Sequence, residues 1–560
     1  MNDKSGGHET LHPDARFDAV VVGAGFAGMY MLHVLRGLGL TAKVIEVASD
    51  VGGTWYWNRY PGARCDVQSI DYSYSFSDEI QQEWTWSERF SAQSEILDYA
   101  RFVADKLDIR RDVQFDTRVE AAAFDQATRE WLVSTDRGDR YRAKYLIMAT
   151  GPLSHPKIPD IEGLRSFKGD IHYTSRWPKA PQDLKGKRVG VIGTGSTAIQ
   201  AIPALAEMGA ELFVFQRTPA YTLPAGNRPL DPEYVAEIKQ RYSELRGLAR
   251  TTAHGGTRPG TTRTTFSYPA DERRKLFEEV WQKGGQELFA FFGDLMIDEE
   301  ANAEIGQFVR DKISQIVEDP DVAEALKPYS YPLGARRLCL DTNYYATYNR
   351  PNVKLVDVAK DPIERITETG IKTGKAEYSL DVLVAAVGFD AISGAIMAVD
   401  IRNGNRSLRE KWLDGTAADL GILTAGFPNL LMVNGPGSPS VLGNVIATIE
   451  QHVEFLRDLI EFAERTGAEM VEADPEREKA WMDHVQEAAK GTLFMKANSW
   501  YLGSNIEGKP RMMMPYVGGL QNYRKLCQDV AEHNFERFVF TRSDAAADQE
   551  ASAHTPGVVA

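Results

Sequence analysis

A glycine-rich turn of the form G-x-G-x-x-G/A occurs twice in this chain of 560 residues, and it strongly restricts the possible folds. The first copy begins at Gly23, after the apolar run 17–22, and the second begins at Gly193, after the run 188–192. A helical run and a second strand-like segment follow each turn, which is the order of a βαβ unit. The sequence therefore predicts an α/β fold with two Rossmann-like dinucleotide-binding domains.

The first turn has the residue types that a dinucleotide requires. Gly23 permits the tight turn, Gly25 lets the backbone approach a pyrophosphate, and Gly28 lets the helix pack closely on the strand. Glu46 ends the second strand 18 residues after Gly28, where a carboxylate accepts hydrogen bonds from ribose hydroxyls. This context predicts a nucleotide with a free 2′-hydroxyl, either FAD or NAD. The alternative is a glycine turn needed only for packing.

The second turn is followed by a strand with a different ending. That strand ends before Arg217 and Thr218, which can bind a 2′-phosphate that a carboxylate would repel. The site is therefore predicted to hold NADPH, which passes hydride to a flavin in the first site. The alternative for Arg217 is a solvated surface arginine. The residues of the turn predicted to contact NADPH are Gly193, Thr194, Gly195 and Ser196.

Composition excludes several classes of protein. The three cysteines, Cys65, Cys339 and Cys527, are far apart in the sequence and form no C-x-x-C, so no redox pair, disulfide framework or metal site is predicted. A net charge of −15 argues against a general nucleic-acid binder. We expect no signal peptide or membrane insertion, and a cytoplasmic location. Without a redox cysteine pair, the electrons of the reduced flavin must go to oxygen, a quinone or an external carrier.

The order of elements along the chain predicts a second domain interrupted by helices and a return to the first domain. The segment that separates the halves of the second domain is helical and charged. The two ends of the chain are predicted to be flexible. The boundaries are 17–150 and 384–543 for the FAD-binding domain, 151–222 and 334–383 for the NADP-binding domain, 223–333 for the helical insertion, and 1–16 and 544–560 for the termini.

Two longer motifs identify a family. The segment from Gly53 to Asp66, GTWYWNRYPGARCD, matches G-x-W-x4-[FY]-P-G-x3-D at every fixed position. The segment 167–178 matches F-x-G-x3-H-x3-W-P except that Tyr173 occupies the histidine position and His172 comes one place early. Over nearly its whole length the chain resembles the flavin-dependent Baeyer–Villiger monooxygenases, most closely their steroid and phenylacetone monooxygenase branch. Because of the shift, no catalytic role is assigned to His172.

The resemblance implies a role for individual residues. Arg337 corresponds to the active-site arginine that faces the flavin, and Arg336 to the basic residue that binds the NADP 2′-phosphate. Asp66 is expected to pair with Arg337 or to orient the nicotinamide; its alternative is the cap of a turn. Trp500 corresponds to a tryptophan on a mobile loop that closes over NADP, although buried tryptophans more often serve packing. The residues expected to contact a cofactor also include Thr54, Trp55 and Tyr72.

The resemblance also implies a reaction. NADPH reduces FAD, oxygen then gives a C4a-peroxyflavin, and one oxygen atom is inserted into a ketone to make an ester or lactone. Bulky aryl, steroid-like or cyclic ketones are the expected substrates, and the protein is expected to be a monomer or a weak homo-oligomer. The alternatives are a flavin monooxygenase that oxidises nitrogen or sulfur, an NADPH-dependent flavoprotein reductase, and a non-catalytic nucleotide sensor.

Overall fold

A computed structural model describes residues 14–542. A nine-stranded mixed sheet is built from both ends of this range. Its central strand, Ala15–Val22, is flanked by parallel neighbours, Ala42–Ile45 on one side and Arg140–Met148 on the other. The remaining strands are Val113–Gln114, Val119–Asp125, Glu130–Thr135, Asp400–Asn403, Arg406–Ser407 and Leu430–Met432. Glu46 is thus the residue directly after the second strand.

The second sheet has five strands, all parallel. In spatial order they are Val353–Asp357, Glu211–Gln216, Arg188–Ile192, Val382–Ala385 and Asp170–Tyr173. Smaller sheets pair Thr222–Pro224 with Cys339–Asp341, join Ile363–Thr367, Gly370–Thr373 and Glu377–Ser379, and pair Ala468–Ala473 with Phe538–Arg542. The two parallel βαβ units confirm the predicted α/β class.

Helices cover these sheets and fill the segment between them. The two helices that follow the glycine turns are Phe26–Gly37 and Ser196–Glu207. The segment predicted as a helical insertion contains Pro232–Gln240, Tyr242–Ala249, Ala270–Lys283, Glu287–Phe291, Glu299–Ile316 and Pro320–Leu326. The others are Thr54–Trp57, Asp78–Glu83, Gln93–Lys106, Tyr344–Thr347, Gly394–Met397, Leu408–Lys411, Val445–Arg465, Pro475–Lys490 and Leu520–Glu532.

The strands of the first sheet lie within 15–148 and 400–432 and those of the second within 170–216 and 353–385, so the predicted boundary at 383/384 falls inside the strand Val382–Ala385 and the domain boundaries stay a proposal. Of the residues predicted to be flexible, Ala15 and Arg16 belong to the first strand, and Asp14 pairs with Arg140 and Arg142. The rest of the predicted flexible termini, 1–13 and 544–560, lie outside the described residues. No helix within residues 14–542 is long and apolar enough to cross a membrane.

Candidate cofactor and active site

The first glycine turn is closely packed. Gly23 has a φ of 106°, and a Cβ placed on Gly28 would lie 1.8 Å from the Gly23 carbonyl oxygen, so only glycine allows this approach of helix to turn. A Cβ on Gly53 would lie 3.0 Å from the Gly25 Cα, which places the segment before the helix Thr54–Trp57 against the same turn. The free amides at the N-terminus of the helix Phe26–Gly37 are donors of the kind that bind a pyrophosphate.

Glu46 is buried beside this turn, with 4% of its surface exposed. Its Oε2 accepts a hydrogen bond of 2.6 Å from the Ala24 amide, and its Oε1 accepts one of 2.7 Å from the Ala48 amide. Burial raises the pKa of Glu46. Each carboxylate oxygen keeps a second lone pair, which fits a pair of ribose hydroxyls. Glu46 therefore shapes the turn, and its remaining lone pairs fit the ribose role predicted for it.

Trp55 and Tyr72 contact each other. The indole Nε1 of Trp55 donates to the Tyr72 hydroxyl at 3.0 Å, and the two rings are nearly perpendicular with centroids 5.8 Å apart. Both side chains are buried. Because its only N–H is used on Tyr72, Trp55 can offer a cofactor only its ring, whereas the Tyr72 hydroxyl can still donate. Thr54 is the first residue of the short helix Thr54–Trp57.

Asp66 and Arg337 form an ion pair, although 271 positions separate them in the sequence. Arg337 Nη2 lies 2.6 Å from Oδ1 and 2.8 Å from Oδ2 of Asp66. The Arg337 side chain keeps 29% of its surface exposed and that of Asp66 keeps 12%. The Asp66 carboxylate raises the pKa of Arg337, so the guanidinium is cationic throughout the physiological range. The pair with Asp66 uses one guanidinium nitrogen, Nη2, and the Tyr501 hydroxyl is a further hydrogen-bonding neighbour of the guanidinium.

Two arginines stand together at the second nucleotide turn. Arg217 is exposed directly after the strand Glu211–Gln216, and Arg336 is half-buried over the ring of Tyr331, 4.6 Å from its centroid. Burial and the nearby Arg217 cation lower the pKa of Arg336. The buried Nε of Arg336 has no hydrogen-bond partner among residues 14–542. Two neighbouring cations with an unused donor fit a 2′-phosphate.

The other predicted NADPH contacts surround the start of the helix Ser196–Glu207. Gly193 has a φ of 108°, and Gly195 is the N-cap of the helix. The Thr194 hydroxyl donates to the Thr218 carbonyl at 2.8 Å, which joins the turn to the residue after Arg217. Ser196 is the first helical residue and contacts Cys339.

Trp500 lies on a 3₁₀ turn, Trp500–Leu502, and is half-buried. Its ring is 4.3 Å from that of Tyr501, and it packs against an apolar cluster that includes Leu153 and Met514. Asn505 Nδ2 donates to the Phe389 carbonyl at 2.7 Å. The loop that carries Trp500 is thus attached to the segment directly after the strand Val382–Ala385.

The shifted family motif places histidine and tyrosine on opposite faces of a strand, because side chains alternate along it. His172 is buried, its ring centroid is 5.0 Å from that of Trp177, and its Nε2 has no partner among the described residues. Tyr173 is half-buried beside it.

The sequence analysis did not single out Arg176, three residues after Tyr173, whose guanidinium lies 3.9 Å above the Trp57 ring. Its position between Tyr173 and Trp177 in the motif was the available signal.

These residues fit FAD and NADP. At the first site the glycine turn leaves no room for a side chain, and Glu46 keeps free lone pairs for a ribose. In the segment that follows the strand Leu430–Met432, two further polar atoms, Asn434 Oδ1 and the Ser440 hydroxyl, are buried without a partner in the described part of the chain. Such orphaned atoms match a site built for a bound polar group. Within residues 14–542, no group of three or more His, Cys, Asp or Glu side chains could hold a metal ion.

Comparisons with known proteins agree with this geometry. A family model described as pyridine nucleotide-disulphide oxidoreductase matches residues 20–255. The Baeyer–Villiger monooxygenase of Pseudooceanicola batsensis is 41% identical over 97% of this chain and 99% of its own length. The phenazine N-monooxygenase PhzNO1 of Lysobacter antibioticus is also 41% identical, over 93% of this chain and 97% of its own. The solved structure of an oxidised steroid monooxygenase bound to NADP is 46% identical, with a TM-score of 0.90 over 94% of this chain and all of that one.

Two dinucleotide sites on one chain define a flavoprotein oxidoreductase that takes hydride from NADPH. The three cysteines are free and buried, so this chain has no cysteine pair for the disulphide chemistry that the name of the matched family model mentions. The chain belongs to the Baeyer–Villiger monooxygenases, enzymes that use FAD, NADPH and oxygen to convert ketones to esters or lactones.

Proposed function

We propose that this monooxygenase acts on a bulky cyclic or aryl ketone, with Arg337 as the catalytic cation and Asp66 as the residue that positions it. The observation that carries the proposal is the ion pair of 2.6 Å between Arg337 and Asp66. It joins the loop that ends the G-x-W motif to the segment that carries the NADP-site residue Arg336. One cation is thereby fixed near both nucleotide sites.

FAD, when bound, accepts hydride from NADPH and supplies activated oxygen. The protein's own contribution is charge. When a nucleophile adds to the ketone carbonyl, negative charge develops on the carbonyl oxygen, and the Arg337 guanidinium stabilises it. A preorganised donor of this kind lowers the barrier by about 3 kcal/mol. Asp66 holds one nitrogen of the guanidinium, so the cation needs little reorganisation as charge develops.

The apolar packing around Trp500 supports a large hydrocarbon substrate. Arg337 acts electrostatically on Tyr501, whose neighbour Trp500 packs with Leu153 and Met514. The relative named steroid monooxygenase is similar over nearly the whole chain, which favours a polycyclic ketone.

The test is product analysis with a panel of ketones. Purified protein is mixed with NADPH, oxygen and one ketone at a time (a steroid ketone, an aryl ketone, a small cyclic ketone), and with phenazine as an N-oxidation probe. We expect esters or lactones, with the steroid and aryl ketones converted best. Arg337→Ala should keep FAD and still be reduced by NADPH, while ester formation falls at least 100-fold, as expected for loss of about 3 kcal/mol.

Three outcomes would contradict the proposal. N-oxide without any ester would favour the chemistry of the phenazine relative, and NADPH consumption without oxygen uptake would indicate a reductase. Ester formation at the wild-type rate by Arg337→Ala would remove the catalytic role of this residue. Arg188→Ala is the matched control, because it breaks another arginine–aspartate pair. Arg188 pairs with Asp381 where two strands of the second sheet begin, and it is distant from Arg337 in the sequence.

We also propose that the protein works in the cytoplasm as a monomer or weak homo-oligomer. The support is its three unpaired, buried cysteines, which suit a reducing compartment. Size-exclusion chromatography with light scattering over a range of concentrations tests the oligomeric state; a stable dimer at the lowest concentration would contradict it.

A further inference from the structure

The loop that leads to Asp66 is fastened to the helix of the NADP site by one side chain, Gln200. The Tyr60 hydroxyl donates to Gln200 Oε1 at 2.8 Å, and the Arg64 amide donates to the same oxygen at 3.3 Å. In return Gln200 Nε2 donates to the Arg64 carbonyl at 2.9 Å. Gln200 thus pairs with both backbone groups of a residue two positions before Asp66.

The loop also lies unusually close to this helix. Gly62 has a φ of 82°, and a Cβ added to it would lie 2.3 Å from the Gln200 carbonyl oxygen. Tyr60 and Ala63, on either side, are buried in the same hydrophobic cluster as Ile199 of the helix. A segment of the FAD-binding half is therefore packed into the core of the NADP-binding half, and Asp66 follows directly.

The partner of Asp66 is connected to the same helix. Arg337 is two residues before Cys339, and the Cys339 thiol donates to the Ser196 hydroxyl at 2.8 Å. Ser196 and Gln200 are four residues apart, which places them on one face of the helix Ser196–Glu207. The segment that leads to Asp66 contacts Gln200, and the segment that follows Arg337 contacts Ser196. These two contacts are one helical turn apart, at the N-terminal end of the helix, where a pyrophosphate is expected to bind.

We infer that Gln200 is a positioning residue for the oxygenation step. It fixes the loop 60–64 on the NADP-site helix, so that Asp66 presents its carboxylate to Arg337. The contact between Cys339 and Ser196 holds the segment that carries Arg337 on the same helix. The inference rests on the proposed role of Arg337. Gln200 itself contacts neither cation nor substrate, so its loss should loosen the pair without removing any charge.

The test replaces Gln200 with methionine, which keeps the length and helix propensity of the side chain and removes its hydrogen bonds. The matched control is Asn352→Ala: Asn352 Nδ2 donates to the carbonyls of Ala206 and Ala210 at 3.1 and 2.8 Å, at the other end of the same helix. Three quantities are measured for each holoenzyme: the melting temperature, the KM for NADPH, and the ester formed per NADPH consumed.

Both variants should melt at a lower temperature than the wild type, because each removes side-chain hydrogen bonds to backbone groups. Only Gln200→Met should change the chemistry: the ester formed per NADPH should fall at least threefold, with the KM for NADPH within twofold of wild type. Gln200→Glu keeps the acceptor for the Tyr60 hydroxyl and loses the donor to Arg64, so its yield should be intermediate. Equal ester yields for Gln200→Met and Asn352→Ala would overturn the inference.

A double-mutant cycle with Asp66→Ala locates the effect. If Gln200 acts through Asp66, adding Gln200→Met to Asp66→Ala should lower the ester yield no further. An undiminished second loss would show that Gln200 acts elsewhere and would overturn the inference. If Gln200→Met does not fold, Cys339→Ala repeats the test on the segment that carries Arg337. The ester formed per NADPH should again fall threefold, and an unchanged yield would contradict the inference. If the wild type forms no ester from any ketone, the proposed function fails; normal yield in these variants of an ester-forming enzyme refutes the positioning role alone.

Discussion

The two glycine turns have the same backbone and different surroundings. Gly23 and Gly193 have φ values of 106° and 108°, and the N-caps Gly25 and Gly195 have φ of −77° and −82° with ψ of −170° and −173°. A Cβ on Gly25 would contact Gly53, whereas nothing lies within 4 Å of one on Gly195. The first turn is covered and the second is open. The shared backbone suits any pyrophosphate, and the cover is what differs between the two turns.

The residue after the second strand differs in the same way. Glu46 is buried and accepts two backbone hydrogen bonds, while Arg217 is exposed and faces a second arginine. One site is therefore part of the folded core, and the other is a surface charged for a ligand. Substitutions at the first should damage stability and cofactor content together, whereas those at the second should affect only affinity.

Glu46→Ala should have the largest effect. It leaves the amides of Ala24 and Ala48 buried without acceptors, which costs about 4 kcal/mol of unfolding free energy, and the protein should purify almost without FAD. Flavin absorbance per chain and urea denaturation measure both losses. Glu46→Gln, which keeps one carbonyl acceptor, should be intermediate. A Glu46→Ala variant with full FAD content would break the comparison.

Exchanging the third small residue of each turn comes next. Gly28→Ala puts a methyl group 1.8 Å from the Gly23 carbonyl oxygen and should cost about 3 kcal/mol. Ala198→Gly, the reverse change at the second turn, should cost about 1 kcal/mol through helix propensity. Denaturation curves of both variants give the difference. Equal losses would mean that the two turns are packed alike.

Arg217→Ala should raise the KM for NADPH about 30-fold, the equivalent of about 2 kcal/mol for a charged hydrogen bond. The KM for NADH should change little, because NADH lacks the 2′-phosphate. Steady-state kinetics with both coenzymes provide the measurement, and flavin content should be normal. Equal effects on NADPH and NADH would remove the phosphate role of Arg217.

Salt should have the smallest effect. Raising the ionic strength from about 0.05 M to about 0.5 M shortens the screening length below the size of an exposed phosphate site. The KM for NADPH should rise about threefold, while the buried FAD site keeps its flavin. Kinetics and flavin absorbance at both salt concentrations test this difference; loss of FAD at high salt would argue against it.

Much of the fold could be predicted because its constraints are local. The turn requires glycine at Gly23 and Gly28, so it can be recognised from the spacing of the glycines. The carboxylate or arginine after the next strand can be recognised in the same way, because it follows the turn at a short distance in the sequence. The Asp66–Arg337 pair was accessible only through family resemblance, since no spacing rule joins residues 271 positions apart.

The links made by Gln200 and Cys339 could not be predicted. A glutamine on a half-buried helix face has no distinctive pattern, and its partners Tyr60 and Arg64 lie 140 and 136 positions away in the sequence. The first role of Glu46, as acceptor for two amides of its own domain, was also missed, because the ribose role explained the residue without it. Trp55 is predicted to contact a cofactor, and the hydrogen bond from its indole N–H to Tyr72 appears only in three dimensions.

The split first sheet has a consequence for synthesis on the ribosome. All five strands of the second sheet have been made by Ala385, but the strand Leu430–Met432, which pairs with Arg140–Met148, and the helix Val445–Arg465 come later. The NADP-binding half can therefore fold as the chain emerges, while the FAD-binding half waits with exposed apolar strands. Flavin capture becomes a late event in the life of the nascent chain, and a shortage of FAD would expose newly made molecules to aggregation at that stage.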